Sequence, residues 1–292
     1  MSLEKHRHHY VPQFWMRRFR DATNILHQWN GRRCSIASTK NIMQEAWLNT
    51  TFDGQWQASN EVEDNLAQLE SLAAGLFTEL EEPSVPLTEQ HREMLCDFLA
   101  LQACRHPDVF NAGHRKVARL ATFFADAPLM NSEAQFTSEA AKLGIKASEA
   151  AAMYSILRHA DPDSLEQQAL EVMAKSPQDP ELPITDALKA MVPVAEALMT
   201  LSYDVIAAPT GVHFVLGDTP LPQSDLGQGF VVPLSKYVAV VARAGNAHTV
   251  PTIGRRAASA QEVADSNRTQ WQMAAKLAVG PDQATLTALG PL

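Results

Sequence analysis

Hydrophobic positions in the middle of the chain recur every three to four residues, which is the period of an amphipathic helix. Asn60 provides an N-cap residue and Pro83 a stop, so the first helix is predicted over 60–82. Thr88 begins a second helix, which ends near Arg105 because a proline follows two residues later. The same period predicts further helices over 112–126, 132–143, 147–159, 162–175 and 184–201.

At Tyr203 the pattern changes to short β-branched runs bounded by Gly and Pro, which is typical of strands. Asn30-Gly31 lies between two shorter alternating runs and predicts a β-hairpin over about 25–37. Ser259 and Glu262 form a capping box that begins a closing helix to about 277. The strands are predicted over 203–208, 212–216, 229–232 and 237–243.

This order of elements predicts an α+β fold that is mainly helical. Its small antiparallel sheet would combine the N-terminal hairpin with strands of residues 203–243. The segment 130–180 is rich in Ala, Glu and Ser and has weak apolar stripes. We therefore expect one α+β domain over residues 1–292, in which about 130–180 is a peripheral helical insertion.

The composition is that of an ordinary globular protein, with 46% hydrophobic and 20% charged residues. The longest apolar runs have the length of strands and fall short of the roughly 18–20 residues of a membrane span, so we expect no membrane partner. The three cysteines form no Cys-x-x-Cys pair and no export signal is recognisable. Free thiols in the cytoplasm are the expected consequence. The sequence carries no signal for an oligomeric state.

Charge is distributed unevenly along the chain, whose formal net charge is -9. Residues 1–33 carry seven Lys and Arg against two acidic residues, so the acidity belongs to the remainder. An acidic body opposes general nucleic-acid binding, which requires neutralisation of many phosphates. The basic segment could still attract one phosphate or carboxylate, or it could simply be a solvated surface arm.

Three histidines, His6, His8 and His9, begin a basic segment rich in aromatic residues. Neighbouring side chains of an extended segment point to opposite sides, so only one of His8 and His9 faces inward. A His-x-His pair with a distant carboxylate would suit a divalent metal ion. A lone inward histidine that is hydrogen-bonded to a carboxylate explains the pattern equally well.

Polar residues also stand where the helical period expects apolar ones. Gln102 and Arg105 continue the apolar stripe of the second predicted helix. A buried guanidinium needs an anion or several acceptors, because an unpaired buried charge is very costly. Arg105 could bind an anionic substrate, it could pair internally with Glu63 or Glu70 at the margin of the first helix, or it could merely cap the end of its own helix.

Two further candidates lie near the end of the chain. Asp218 follows a predicted buried strand, where a carboxylate could serve as a base or metal ligand or could stabilise its own turn. Asn267 lies on the apolar face of the closing helix. An inward amide needs several hydrogen bonds, so Asn267 could position a substrate or brace a loop.

Residues 8–14 read His-His-Tyr-Val-Pro-Gln-Phe and continue with aromatic-Met-Arg-Arg-Phe to position 19. This run resembles the signature of a widespread bacterial and phage family of unknown function. Relatives tend to carry Ser-Asp-Asn-Pro where residues 217–220 are Gly-Asp-Thr-Pro, so a role for that asparagine is not transferred here. The resemblance spans about residues 5–280 and implies a shared fold, whereas the family brings no established activity. Weaker matches are Arg105-x-Pro107, Gly217-Asp218-Thr219-Pro220 and Asn267-Arg268.

The chain has no Walker loop, dinucleotide fingerprint or Gly-x-Ser-x-Gly elbow. One hypothesis is a nuclease-like or phosphoesterase-like hydrolase that acts on a small anionic or nucleic-acid substrate, with a divalent metal ion as its candidate cofactor. A histidine would be general acid–base or metal ligand, an aspartate its partner and an arginine the anion clamp. The catalytic candidates are His8, His9, Arg105 and Asp218. The candidates for substrate binding are Tyr10, Gln102, Asn267 and Glu63.

The second hypothesis is a non-enzymatic binding or regulatory module, for instance of the phage-defence or host-interaction type. The polar cluster would then be structural and would hold the N-terminal segment on the helices. Polar groups from distant parts of the chain must meet under either hypothesis, because each of them faces inward.

Overall fold

The computed structural model describes residues 7–46, 48–49, 51–52, 58–59, 61–143, 145–161, 163–165, 167–168, 181–245 and 250–291. Helix makes up 48% and strand 18%, which confirms the α+β class. Two compact units are present, one of residues 1–50, 60–107 and 187–292, the other of 51–59 and 108–186. A single domain over 1–292 with a peripheral insertion stays a prediction. His6, Asn60 and most of the helix predicted over 162–175 lie outside the described residues.

The elements are numbered here in chain order. The helices are α1 (Gln13–Arg17), α2 (Glu61–Glu81), α3 (Glu89–Cys104), α4 (Pro107–Asp126), α5 (Glu133–Lys142), α6 (Ala147–Leu157), α7 (Glu181–Met199), α8 (Ala260–Met273) and α9 (Gln283–Thr287). The strands are β1 (Arg7–His9), β2 (Leu26–Trp29), β3 (Cys34–Ala37), β4 (Gln44–Ala46), β5 (Thr51–Phe52), β6 (Ala58–Ser59), β7 (Leu201–Ala207), β8 (Leu216–Gly217), β9 (Gly229–Pro233), β10 (Val238–Ala244), β11 (Ile253–Ala257) and β12 (Ala278–Gly280).

The two long helices of the first unit begin and end where the caps predict. Thr88 caps α3 in a capping box, in which its backbone N–H donates to His91 Nδ1 at 3.0 Å. Helix α2 turns Leu66, Leu76 and Leu80 inward. Both helices therefore present an apolar face to the same core.

The strands of the first unit form two four-stranded sheets. In the first sheet the order is β3-β2-β12-β8 and all pairs are antiparallel, so the predicted hairpin joins the 216–217 strand through β12. In the second sheet the order is β11-β7-β10-β9, and β11 runs parallel to β7. A separate antiparallel pair joins β1 to β4. The sequence pattern did not predict this division into two sheets.

Residues 7–19, called the N-terminal arm below, contribute most of their apolar side chains to the core of the first unit. Trp15 is fully buried, and its ring lies 5.6 Å from that of Phe77 and 5.4 Å from that of Phe98. Its Nε1–H donates to the Pro233 carbonyl at 2.8 Å. The arm thereby connects α2 and α3 to the second sheet.

The second unit has a small core of its own. The rings of Phe123 and Phe136 lie 4.5 Å apart, and those of Phe136 and Tyr154 lie 5.3 Å apart. Ser132 caps α5 by accepting a hydrogen bond from the backbone N–H of Gln135. The predicted helices 132–143 and 147–159 therefore correspond to α5 and α6.

Several elements differ from their predicted extent. Helix α4 begins at Pro107 and not at 112, because proline is well tolerated in the first turn of a helix. Of the strand predicted over 212–216, only Leu216 is in β8, because the backbone N–H of Val215 is bonded to the Asn267 side chain and not to a neighbouring strand. The closing helix ends at Met273 and not at 277. The next backbone N–H groups, at 275–277, all donate to Asp218.

Among the described residues, no helix is both long enough and apolar enough to cross a membrane. All three cysteines are free thiols, as expected, with Cys96 and Cys104 buried and Cys34 half-buried.

Candidate functional site

His8 is the inward member of the histidine pair and is fully buried. Its Nδ1 accepts a hydrogen bond from the backbone N–H of Asn49 at 2.8 Å. The Asn49 side chain in turn donates to Glu63 Oε2 at 2.8 Å. Asn49 therefore connects one candidate imidazole to one candidate carboxylate.

His9 lies on the opposite side of β1 and is half-buried. Its Nε2–H donates to the Thr39 carbonyl at 2.8 Å, because a carbonyl can only accept. Burial lowers the pKa of His9 below its ordinary value, a shift that Thr39 and Glu63 oppose and that Arg105 and His8 reinforce. A neutral His9 that is protonated on Nε2 has its lone pair on Nδ1.

Arg105 uses all three of its nitrogens within the chain. Nε donates to the Tyr10 carbonyl at 3.1 Å, Nη2 to the His9 carbonyl at 2.7 Å and Nη1 to Glu70 Oε1 at 2.8 Å. The side chain of Arg105 is 4% exposed and that of Glu70 is 26% exposed. The guanidinium therefore holds the main chain of the N-terminal arm and is neutralised by an internal carboxylate.

Gln102 lies one turn before Arg105 on the same face of α3. Its Nε2 donates to the Tyr10 carbonyl at 2.7 Å, so this oxygen accepts hydrogen bonds from two buried side chains. Gln102 Oε1 is buried and has no hydrogen-bond partner among the described residues. It is a buried acceptor that the described part of the protein leaves unused.

Asp218 is fully buried and binds the segment that follows α8. Its carboxylate oxygens accept from the backbone N–H groups of Ala275, Lys276 and Leu277, at 2.7, 2.9 and 3.3 Å. Burial raises the pKa of Asp218, against the opposing effect of these three donors. The carboxylate thus has the geometry of a turn brace.

Thr219, the residue after Asp218, connects the end of strand β8 to the N-terminal arm. Thr219 Oγ1 lies 3.2 Å from Nε2 of His106, and the His106 ring packs edge-on against that of Tyr10 at 5.3 Å. His106 is 4% exposed. A chain of buried contacts therefore joins residue 219 to the His-His-Tyr motif.

Asn267 is in a different part of the first unit. Its Oδ1 accepts from the backbone N–H of Val215 at 2.9 Å and its Nδ2 donates to the His213 carbonyl at 2.8 Å. Gln270, one turn later, braces the neighbouring residues in the same way through Gly217 N–H and Pro220 O. A Cβ on Gly217 would lie 2.6 Å from the Gln270 carbonyl oxygen, so glycine permits this close approach.

The structure thus brings together most of the predicted residues, namely His8, His9, Tyr10, Glu63, Gln102 and Arg105. Asp218 is linked to them through Thr219 and His106, whereas Asn267 is not part of the cluster. The sequence reasoning missed Thr39, Asn49, His106 and Gln270. Only His106 had a local signal, since it stands between Arg105 and Pro107 in one of the short runs on which the family resemblance was based.

The described residues do not include a ready set of metal ligands. Among the residues that the structure describes, no group of three or more His, Cys, Asp and Glu side chains is arranged to hold a metal ion. His8 Nδ1 already accepts a hydrogen bond from the Asn49 backbone N–H, and His9 Nε2 already donates one to the Thr39 carbonyl.

The lowered pKa of His9 predicts a specific dependence of stability on pH. The unfolded state takes up the proton first, at about pH 6.5, so the stabilising contribution of neutral His9 is complete above that pH and is lost as the pH falls below it. His9→Gln keeps an amide N–H for Thr39 but does not titrate. Urea unfolding between pH 7.5 and 5 should therefore show a shallower fall in the free energy of unfolding for the variant.

The slope of the free energy of unfolding against pH should differ between His9→Gln and the unchanged protein by no more than about 1.4 kcal/mol per pH unit, which corresponds to one proton. His27→Gln, on strand β2, is the matched control for the loss of one imidazole. A His9→Gln slope equal to or steeper than that of the control would contradict the assignment.

Comparisons with known proteins give one match. Neither the curated proteins nor the solved structures contain a match to the chain. Residues 7–284 match the family described as "Protein of unknown function (DUF4238)". This range includes the N-terminal arm, the Arg105 cluster, Asp218 and Asn267. The expected membership of a family without assigned function is thereby confirmed, and the chain belongs to the DUF4238 family.

Proposed function

We propose that this chain is a binding or regulatory module in which the polar cluster of the N-terminal arm is structural. The observation that carries the proposal is the internal bonding of Arg105, whose three nitrogens donate to two main-chain carbonyls and to Glu70. An anion clamp needs donors that face a ligand, whereas the Arg105 side chain is 4% exposed and each of its nitrogens is bonded within the chain.

The other polar groups support the same proposal, because most of them satisfy main-chain atoms. Buried N–H and C=O groups of irregular segments need partners, and side chains are the usual ones where no strand is adjacent. His8 accepts from Asn49 N–H, His9 donates to Thr39 O, and Asp218 accepts from three N–H groups. These side chains therefore form hydrogen bonds with main-chain groups that a neighbouring strand would bind in a sheet.

A hydrolase remains the second candidate, because one observation favours it. His9 is half-buried with a lowered pKa and its Nε2 is anchored, which leaves the Nδ1 lone pair to accept a proton. Glu63 and Arg105 lie near enough to influence that pKa. In this scheme His9 is the general base, and the substrate is a small phosphodiester or a nucleic acid.

We extend the proposal to a bacterial or phage protein of the cytoplasm. The resemblance of the His-His-Tyr-Val-Pro run supports the source. The three free thiols support a reducing compartment.

A combined binding and turnover experiment separates the two candidates. The unchanged protein and its His9→Gln and His27→Gln variants are screened by thermal shift with Mg²⁺, Mn²⁺, Zn²⁺ and bis(p-nitrophenyl) phosphate. Turnover of the same ester and of labelled RNA and DNA oligonucleotides is then measured. A module should give no turnover and no thermal shift that depends on His9.

Turnover or a thermal shift that His9→Gln abolishes, while its melting temperature stays at that of His27→Gln, would establish the hydrolase and overturn the module. The matched control excludes a general effect of losing one imidazole, since His27 lies on the hairpin outside the cluster.

A further inference from the structure

A pocket of about 300 Å³ lies between helices α8 and α9 and the turn at residues 211–213. It is within the first unit and involves none of the arm residues discussed above. Seven of its eleven lining residues are apolar, among them Val263, Ala264 and Leu289. Its polar lining residues are His213, Asn267, Arg268 and Thr285. A volume of this size is at the small end of the range for ligand sites.

The walls of this α8–α9 pocket are fixed by hydrogen bonds of their own. Asn267 holds residues 213 and 215 against α8 through both ends of its amide. Asp282 caps α9 by accepting from the Thr285 backbone N–H at 2.7 Å and from its hydroxyl at 2.9 Å. The pocket is therefore preformed, which lowers the entropic cost of binding.

His213 lies beside the same aspartate. Its Nδ1 is 3.5 Å from Asp282 Oδ2, and its Nε2 is the ring nitrogen further from this carboxylate. Burial tends to raise the pKa of Asp282, but the two Thr285 donors and His213 lower it overall, which keeps the carboxylate ionised. Within the described part of the chain, His213 Nε2 has no hydrogen-bond partner.

Arg268 provides the positive charge of the pocket. Its side chain is 64% exposed, and its Nη1 donates to Asp265 at 3.1 Å, on the preceding turn of α8. Exposed pairs of this kind contribute little stability, so a ligand anion competes with Asp265 at small cost. A guanidinium also recognises a carboxylate through two parallel hydrogen bonds.

The charges around the pocket select among anions. Arg268 is paired with Asp265, and Asp282 caps the facing helix α9, so a dianion such as a phosphate monoester would meet stronger repulsion than a monoanion. A monoanion with an apolar body suits both the single arginine and the mostly apolar lining.

We propose that the α8–α9 pocket binds a small organic carboxylate with an aromatic or branched apolar body. The carboxylate pairs with Arg268, the apolar body packs on Val263 and Leu289, and His213 forms a hydrogen bond with the ligand. The inference deepens the proposed module function and rests on it, because it names the class of ligand that such a module would bind.

The test uses benzoate as the probe and benzamide as its neutral counterpart of nearly equal shape. Dissociation constants come from ligand-observed NMR titrations of the full chain. Benzoate should bind saturably, and benzamide should bind at least about tenfold more weakly, because it cannot form the charged pair. Arg268→Gln should weaken benzoate by a similar factor and should not change benzamide.

Two variants complete the design. Ala264→Phe fills the pocket from an exposed helix position, so the fold should be kept while binding of both probes is lost. Arg17→Gln is the control for Arg268→Gln, because Arg17 is also exposed and also pairs with a side chain of its own helix, Gln13. Thermal melts of all variants verify that they are folded.

The site is overturned if benzoate shows no saturable binding, if benzamide binds equally well, or if Ala264→Phe binds benzoate like the unchanged protein. None of these results bears on the polar cluster of the arm. Conversely, turnover that depends on His9 would overturn the module while benzoate binding that depends on Arg268 stands, so the two failures are distinguishable.

Discussion

Replacing Arg105 with alanine is expected to lower the free energy of unfolding by about 3–5 kcal/mol, the usual cost of removing one partner of a buried ion pair. Glu70 and the His9 carbonyl lose the hydrogen bonds that Arg105 donates, and the Tyr10 carbonyl keeps only its bond from Gln102. For a chain of this size the melting temperature should fall by roughly 10 °C. Urea unfolding at pH 7 measures the effect directly.

Two companion variants make the result specific to the hydrogen bonds. Arg105→Lys keeps the charge, yet one ammonium cannot reach three acceptors in different directions, so most of the loss should persist. Arg17→Ala removes an exposed arginine and should change the stability by no more than about 0.5 kcal/mol. An Arg105→Ala protein as stable as Arg17→Ala would refute the structural role and favour an anion-binding one.

Replacing Trp15 with alanine is expected to cost a similar amount, about 3–5 kcal/mol, because a fully buried indole leaves a cavity that its neighbours cannot fill. Its ring packs edge-on against Phe77 and Phe98, and its Nε1–H is bonded to the Pro233 carbonyl. Trp15→Ala thus removes a side chain of the N-terminal arm that contacts both the helices and the second sheet.

Trp15→Phe separates packing from hydrogen bonding, because it keeps a ring but leaves the Pro233 carbonyl without its donor. About 1–3 kcal/mol should be lost in this variant. Leu72→Ala, a truncation of a side chain that is 61% exposed, is the control and should be nearly neutral. A Trp15→Ala protein with the stability of Leu72→Ala would contradict the central position of the arm.

Elements with local signals could be predicted from the sequence. Helices α2 and α3 follow from a period of 3.6 together with the caps and prolines that flank them. The hairpin follows from Asn30-Gly31, where Gly31 has a φ of +82°. The inward face of α3 was also predictable, and with it the burial of Gln102 and Arg105.

Elements that depend on distant partners could not be predicted. Strand β11 contains a glycine and two arginines and is a strand because it lies beside β7. Strand β12 has three residues and is fixed between β2 and β8. The partition into two sheets depends on such pairings, which leave no local pattern.

The same limit applies to the candidate site. Periodicity indicates that Arg105 points inward, but its partners are largely carbonyl oxygens of the N-terminal arm, and every residue has a carbonyl. Likewise, Asp218 could be recognised as an inward carboxylate, whereas its N–H partners at 275–277 belong to a segment predicted to be helical. Main-chain partners are invisible to an argument from side-chain types.

The first sheet also has a consequence for biosynthesis. Strand β2 pairs with β12, and Trp29 Nε1 donates to the carbonyl of Gly290, 261 residues further along the chain. The hairpin therefore emerges from the ribosome long before its neighbour exists, with one edge of β2 unpaired. Completion of this sheet has to follow translation of β12, so the free edge of β2 stays available to other nascent chains until then.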